Sequence, residues 1–180
     1  MRRIEEEAAR MGVLVDDLLL LARLDQGRPL RLAQVDLARV VADAAADARA
    51  VDPAREISCV TPDALMLEGD EVRLRQVAAN LFANALKHTP TGTPVDAQVR
   101  AEDGSAVFEV ADRGGGISEQ DRVEIFEPFY RSDPARARDS GGAGLGLAIV
   151  QAISEAHHGS VHVTDSAAGG AAFAIDLPLD

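Results

Sequence analysis

The stretch Gly141-Gly142-Ala143-Gly144-Leu145-Gly146 places four glycines within six residues, directly ahead of an apolar run, Leu145 to Ile153, at helical spacing. Glycine costs about 1 kcal/mol relative to alanine inside a helix, so the helix must begin at the C-terminal edge of this stretch. A helix start presents unpaired backbone N–H groups and a partial positive charge. Glycines ahead of it permit positive φ and a close approach of the backbone to a ligand. The pattern suits a phosphate cradle, and equally a tight turn. It is not a P-loop, because no Gly-Lys-Ser/Thr follows, nor a dinucleotide fingerprint, because no strand leads directly into it.

The remaining chain alternates helical and extended signals. Ile4, Ala8, Met11, Val15, Leu18 and Leu21 recur at spacings of three and four, with Leu14 and Leu19 widening the stripe. This predicts an amphipathic helix over 3–25, ending near Gly27 with Pro29 beyond it. Such a helix folds onto the following domain or forms half of a helical hairpin or dimer bundle, and the width of its apolar face favours the second. Asp36 caps a helix to about Ala50, and Asp70 a longer one to about His88 with Val72, Val77, Leu81, Ala85 and Leu86 inward. Short strands are predicted at 56–60 and 65–68, and a hairpin at 95–100 and 106–111 around Glu102-Asp103-Gly104-Ser105. A short helix over 118–125, a loop over 127–142, a helix over 145–157 and strands over 160–164 and 171–176 complete the pass. Residues 33–180 thus read as one domain with both helices and strands, and 1–28 as an appended helix.

Charge and composition exclude some partners. Thirty acidic residues oppose 18 basic ones, a net charge of −12, which repels nucleic acid and anionic membranes. The small basic group Arg131, Arg136 and Arg138 sits beside Asp133 and Asp139. Cys59 is the sole cysteine, which suits a reducing compartment, and Asp16 and Asp17 break the best apolar stretch, so no membrane insertion is expected. The expected location is cytoplasmic.

Two further stretches carry chemistry. Asp112-Arg113-Gly114-Gly115-Gly116-Ile117 follows an apolar strand. A carboxylate fixed there can accept a hydrogen bond from an exocyclic amine such as adenine N6, with glycines leaving room for a flat ring; a tight turn capped by Asp is the alternative. In Asn80-Leu-Phe-Ala-Asn84-Ala-Leu-Lys87-His88-Thr89, Asn80 and Asn84 lie one helical turn apart, and Lys87 and His88 continue the polar face. Amide oxygens suit Mg²⁺, and Lys87 can neutralise phosphate, although a solvated polar stripe has the same appearance.

Taken together, these stretches resemble a family. Asn80 to Thr89 is similar to the N box of the GHKL ATP-binding fold, Asp112-x-Gly114-x-Gly116-Ile117 to its G1 box, and Gly142-Ala-Gly144-Leu145-Gly146-Leu to its G2 box. Phe126-Glu-Pro-Phe129-Tyr-Arg131 resembles the F box of sensor histidine kinases, and Met11 to Gly27 the second helix of their dimerisation and phosphotransfer domain. The resemblance covers 33–178 in order and spacing. It implies an α+β fold, a two-layer sandwich of a mixed sheet on three helices, preceded by one long amphipathic helix. It implies ATP and Mg²⁺ as cofactors. By position, Asp112 binds adenine N6, Asn84 holds Mg²⁺ with Asn80 close by, and Lys87 reaches the phosphates with His88 facing the nucleotide. Gly142, Gly144 and Gly146, with Leu145 between them, wrap the phosphates. Residues 127–143 form an ATP lid anchored by Phe126 and Phe129. Arg131 approaches the γ-phosphate or the partner helix. Family hydrolases carry Glu where this chain has Asn80, which cannot take a proton, so slow ATP hydrolysis is expected.

The implied activity is protein-histidine kinase, with a response regulator downstream. The family's phosphoacceptor, a His followed by an acidic residue and a nearby Arg-x-Pro, is not matched by His88, His157, His158 or His162. The chain alone is therefore not expected to autophosphorylate. The acceptor lies on a histidine-bearing phosphotransfer domain, a partner kinase chain or a missing N-terminal segment. Alternatives are a GHKL regulatory nucleotide-binding module and an anti-sigma-type serine kinase. With one helix per chain, a monomer or weak dimer is expected.

Overall fold

The computed structural model describes residues 2–26, 29–131 and 143–179. Helix α1 spans Arg2–Asp25, β1 Ala33–Asp36, α2 Leu37–Val51, β2 Ile57–Val60, β3 Met66–Gly69 and α3 Glu71–His88. Then follow β4 Val95–Glu102, β5 Ser105–Asp112, α4 Asp121–Glu124, α5 Gly146–Ala156, β6 Ser160–Asp165 and β7 Ala171–Pro178.

Local chemistry accounts for several boundaries. The Asp36 carboxylate accepts from the backbone N–H groups of Ala38 and Arg39, and that of Asp70 from Arg73, so each caps its helix as its sequence position predicts. Asp103 and Gly104 both have positive φ, 47° and 81°, the requirement of the tight turn joining β4 to β5. The predicted 118–125 helix is a single turn, Asp121–Glu124, and is preceded by a turn in which the Ser118 hydroxyl donates to the Asp121 carboxylate and accepts from the Asp121 N–H.

β1 and β3 form a two-stranded antiparallel sheet. The other strands form a mixed sheet in the order β2-β4-β5-β7-β6, in which β2 and β4 run parallel and the remaining neighbours antiparallel. Period two decides the buried face: Val95, Ala97 and Val99 on β4, Ala106, Phe108 and Val110 on β5, and Phe173, Ile175 and Leu177 on β7 join the core. Helices α2, α3 and α5 cover this face, giving the expected two-layer α+β sandwich. The core is aliphatic apart from a few rings, among them Phe82 and Phe108 with centroids 6.3 Å apart.

Two expectations need correction. Val72 is 68% exposed rather than inward. It lies five residues before the buried Val77, which is about 140° round a helix of 100° per residue. β1 is a strand that no sequence signal indicated.

Helix α1 packs along α5. Leu20 is buried and Leu14, Leu21 and Leu24 pack partly against the core, while Met11, Val13, Val15, Leu18 and Leu19 stay exposed. The helix therefore folds onto the domain and still presents an apolar outer face. Among the described residues no helix is long and apolar enough to cross a membrane.

Candidate functional site

Asp112 is the last residue of β5, and the inward alternation Ala106, Phe108, Val110 carries its side chain to the buried face, where it is 6% exposed. Its Oδ1 accepts from the backbone N–H of Gly114 at 2.8 Å and of Ala171 at 3.2 Å. Oδ2 accepts no hydrogen bond among the described residues. This oxygen, on a residue that is otherwise buried, is free to accept from a donor that enters beside it. Two of the surrounding positions leave little room for a side chain. A Cβ on Gly114 would lie 3.0 Å from Asp112 Oδ1 and 3.1 Å from Thr89 Cγ2, and one on Gly170 2.6 Å from Oδ1. Gly116 follows with φ +73°, and Ile117 packs partly against the core.

The polar face of α3 meets this carboxylate. Asn80 and Asn84 are half-buried, one turn apart. Asn80 donates through Nδ2 to the Gly146 carbonyl at 3.2 Å, which ties α3 to the start of α5. The Asn84 side chain makes no hydrogen bond among the described residues, so its oxygen is available to a hard cation. Lys87, His88 and Arg131 crowd together. Partial burial and then the Arg131 guanidinium hold the Lys87 ammonium below its ordinary range. Partial burial, Lys87 and Arg131 lower His88 and outweigh the opposing pull of Asp112. Lys87, His88 and Arg131 thus bring basic groups together beside Asp112, which suits an anionic ligand.

The glycine stretch is brought to the same place. Gly144 has φ +74°, and its carbonyl accepts from the Phe129 N–H at 3.0 Å. A Cβ there would lie 2.8 Å from the Tyr130 carbonyl oxygen. The F-box and G2-box segments therefore touch backbone to backbone at Phe129, Tyr130 and Gly144; residues 132–142, Gly142 among them, lie outside the described residues. Leu145 is buried at the start of α5 and supplies no side-chain cap, and Gly146 opens the helix, leaving its first N–H groups available to a ligand. Phe126 packs edge-on to Phe173 with centroids 6.5 Å apart. Phe129 departs from expectation: its ring is 59% exposed, and its backbone at φ +68° makes the attachment. Tyr130 donates to Asp121 Oδ1 at 2.5 Å, which pins the chain just before Arg131 and raises the Tyr130 hydroxyl pKa.

The other histidines sit elsewhere. His157 is buried; its Nε2 accepts from the Asp70 N–H at 3.0 Å, so the proton resides on Nδ1, which donates to the Ile153 carbonyl at 2.8 Å. These two bonds join the end of α5 to the start of α3, a structural role. His158 occupies a left-handed turn at φ +60°, and His162 is exposed on β6 beside Asp176. The sequence signals Ala171, which bonds Asp112, only as the start of a strand, and Gly170, which lies against it, only as a turn glycine.

A family model described as histidine kinase-, DNA gyrase B-, and HSP90-like ATPase matches residues 69–180. The chain belongs to this family. Within it the chain groups with sensor histidine kinases. It is 44% identical over 181 residues to the probable sensor histidine kinase TcrY of Mycobacterium tuberculosis, covering all of this chain and 38% of TcrY. The mycobacterial sensor histidine kinase MprB superposes with a TM-score of 0.72 at 32% identity, over 82% of this chain and 97% of that structure. Full-length ShkA in complex with AMPPNP gives a TM-score of 0.82 at 34% identity, over 98% of this chain and 37% of ShkA. The chain thus spans less than half the length of the curated relatives it matches. The fold is that of an ATP-binding catalytic domain of sensor histidine kinases.

Proposed function

We propose that the chain binds Mg·ATP between Asp112 and the N-terminus of α5 and passes the γ-phosphate to a histidine outside its own four. The observation that carries this reading is the juxtaposition of Lys87, His88 and Arg131 with the open Oδ2 of Asp112. Asp112 accepts from the adenine amine, and Gly114 and Gly116 leave the space for the ring. Asn84 offers its oxygen to Mg²⁺, with Asn80 beside it. Mg²⁺, when bound, neutralises charge on the phosphate oxygens. Lys87, His88 and Arg131 attract the phosphate chain, and the first N–H groups of α5, preceded by Gly142, Gly144 and Leu145, receive it. Residues 127–143 form the lid over it, and 1–28 part of a dimerisation and phosphotransfer element.

The acceptor is a histidine on a phosphotransfer helix, and the product then serves a response regulator on the cytoplasmic side of a sensor system. Asn80 spends its amide on the Gly146 carbonyl and holds no basic lone pair for water. ATP hydrolysis by the chain is accordingly slow.

The test incubates γ-labelled Mg·ATP with the chain, alone and with a histidine-bearing helical hairpin from a related kinase, and washes the product with acid and base. Acid-labile, base-stable label on the hairpin, lost with Asp112→Ala, is expected. Label that survives acid, label on this chain itself, or brisk hydrolysis unchanged by Asn80→Ala would overturn the reading.

A further inference from the structure

The connection between α2 and β2 holds a charged side chain that no nucleotide-binding motif explains. Arg55 lies in the short charged stretch Asp52-Pro53-Ala54-Arg55-Glu56, which reads as an ordinary solvated loop. Its side chain is nevertheless only 3% exposed. A buried guanidinium is retained where its donors are satisfied. Here Nε donates to Asp52 Oδ2 at 3.0 Å, Nη1 to Thr89 Oγ1 and to the Thr93 carbonyl at 3.3 Å, and Nη2 to the Leu86 carbonyl at 3.4 Å.

All of these acceptors except Asp52 belong to the end of α3 and the turn after it. The Leu86 carbonyl is one of the last four of the helix, which have no partner within it, and a cation there also meets the negative end of the helix dipole. Thr89 is the C-terminal cap, is buried, and donates its own hydroxyl back to the Ala85 carbonyl at 2.7 Å. Lys87 and His88 therefore sit between two residues gripped by one guanidinium. The methyl of Thr89 faces the other way, onto the Gly114 turn that feeds Asp112 Oδ1. One buried side chain thus fixes the segment bearing the phosphate-facing cations and, through Thr89, backs the turn that fixes the adenine-facing carboxylate.

We infer that Arg55 is a positioning residue of the nucleotide site, setting the last turn of α3 so that Lys87 and His88 meet the phosphates while Thr89 supports the Asp112–Gly114 turn. The inference rests on the nucleotide-site reading above. It requires the fork of the guanidinium, since an ammonium cannot reach Asp52, Thr89 and two carbonyls together.

The experiment measures affinity for ATP and for adenosine on the whole chain, by calorimetry, for wild type, Arg55→Lys, Arg55→Met and Thr89→Val, at a temperature well below each variant's unfolding midpoint. Arg55→Lys keeps the buried charge and its partner, so it guards against a variant that does not fold. Both Arg55 variants are expected to lose roughly tenfold in ATP affinity, the scale of outer-shell supports elsewhere. Adenosine is expected to weaken less, so the ATP-to-adenosine ratio falls, and Thr89→Val reproduces part of the effect without adding to Arg55→Met. A side chain with a purely structural role lowers the midpoint and leaves that ratio unchanged in the folded protein; this result in both Arg55 variants would overturn the inference. Failure of the wild type to bind ATP, or normal binding by Asp112→Ala, would instead sink the nucleotide-site reading.

Discussion

Gly169 and Gly170 are adjacent, both have positive φ, +79° and +105°, and they make opposite demands on an added methyl group. A Cβ on Gly169 meets nothing within 4 Å. On Gly170 it would lie 2.5 Å from the Asp112 carbonyl oxygen, 2.6 Å from Asp112 Oδ1 and 2.6 Å from the Gly114 backbone nitrogen. Gly169→Ala therefore carries only the left-handed backbone cost, about 1–2 kcal/mol, partly offset by the stiffer unfolded chain. Gly170→Ala carries that cost plus a clash that only a shift of Asp112 or of the turn relieves. Overpacking typically costs about 1–3 kcal/mol, and each N–H bond to a charged oxygen contributes about 1.5–3 kcal/mol. Losing one of the two bonds to Oδ1 as well brings Gly170→Ala to about 3–7 kcal/mol, against about 1 kcal/mol for its neighbour. A loss at the low end of this range leaves a domain of ordinary stability, about 5–15 kcal/mol, folded. Urea denaturation gives the stabilities, and titration with a fluorescent ATP analogue gives the site. Gly169→Ala is expected to bind as wild type, and folded Gly170→Ala to lose more than about tenfold, since one charged hydrogen bond lost is worth at least that factor. Equal denaturation midpoints for the pair, or normal nucleotide binding by Gly170→Ala, would refute the reasoning.

Two further outcomes follow from side chains that join elements. Asp36 Oδ1 accepts from Ala38, Arg39 and also Leu65, the last at 3.0 Å, so Asp36→Ala loses a cap and a tie to the segment before β3. The expected cost is about 2–3 kcal/mol by urea denaturation, where an ordinary cap costs about 1; a loss near the ordinary value would show the tie to be idle. His157 is held neutral by burial, which lowers its pKa, and His88 is lowered for a similar reason. Their unfolded value is near 6.5, so their contribution is complete above about pH 6.5 and is lost as pH falls through that value toward the lower folded one. The thermal midpoint should decline from about pH 7 to 5, and His157→Gln should flatten the decline; an unchanged slope in His157→Gln would assign it to other groups.

What the sequence discloses here is what acts locally. Asp36, Asp70 and Asp103-Gly104 speak to residues one to three positions away, and their elements fall where expected. The nucleotide motifs are local too, so Asn80, Asn84, Lys87, Asp112 and Gly144 could be named before their meeting was seen. Strand β1 was missed because four residues with a single buried side chain, Val35, carry too little alternation to register, and its partner β3 is 30 residues on. Arg55 and Gly170 were missed for the same reason at greater range. Arg55 meets Thr89 34 residues away, and the Gly170–Ala171 segment meets Asp112 59 residues away. A loop arginine and a turn glycine look alike whether they face solvent or another strand.

Helix α1 shows how a single apolar stripe can conceal two. Leu20 is 6% exposed, whereas Leu18, two positions and about 200° round the helix, is 42% exposed with Met11 and Val15 on its face. One side is already bound to the domain; the other carries several large apolar groups with no cover among the described residues. A helix apolar on both sides is stable in water only when both are covered. The two sides are separable by mutation. Leu20→Ala should cost about 2–4 kcal/mol at any protein concentration, because it opens a cavity against the core. Leu18→Glu should change stability by less than about 0.5 kcal/mol in dilute solution, because its site is open. It should also abolish the weak self-association expected from sedimentation of the wild type at high concentration. If Leu18→Glu unfolds the chain as readily as Leu20→Ala, the outer face is in contact with the domain after all. If it leaves self-association intact, the contact between copies lies elsewhere and α1 is a brace for α5 alone.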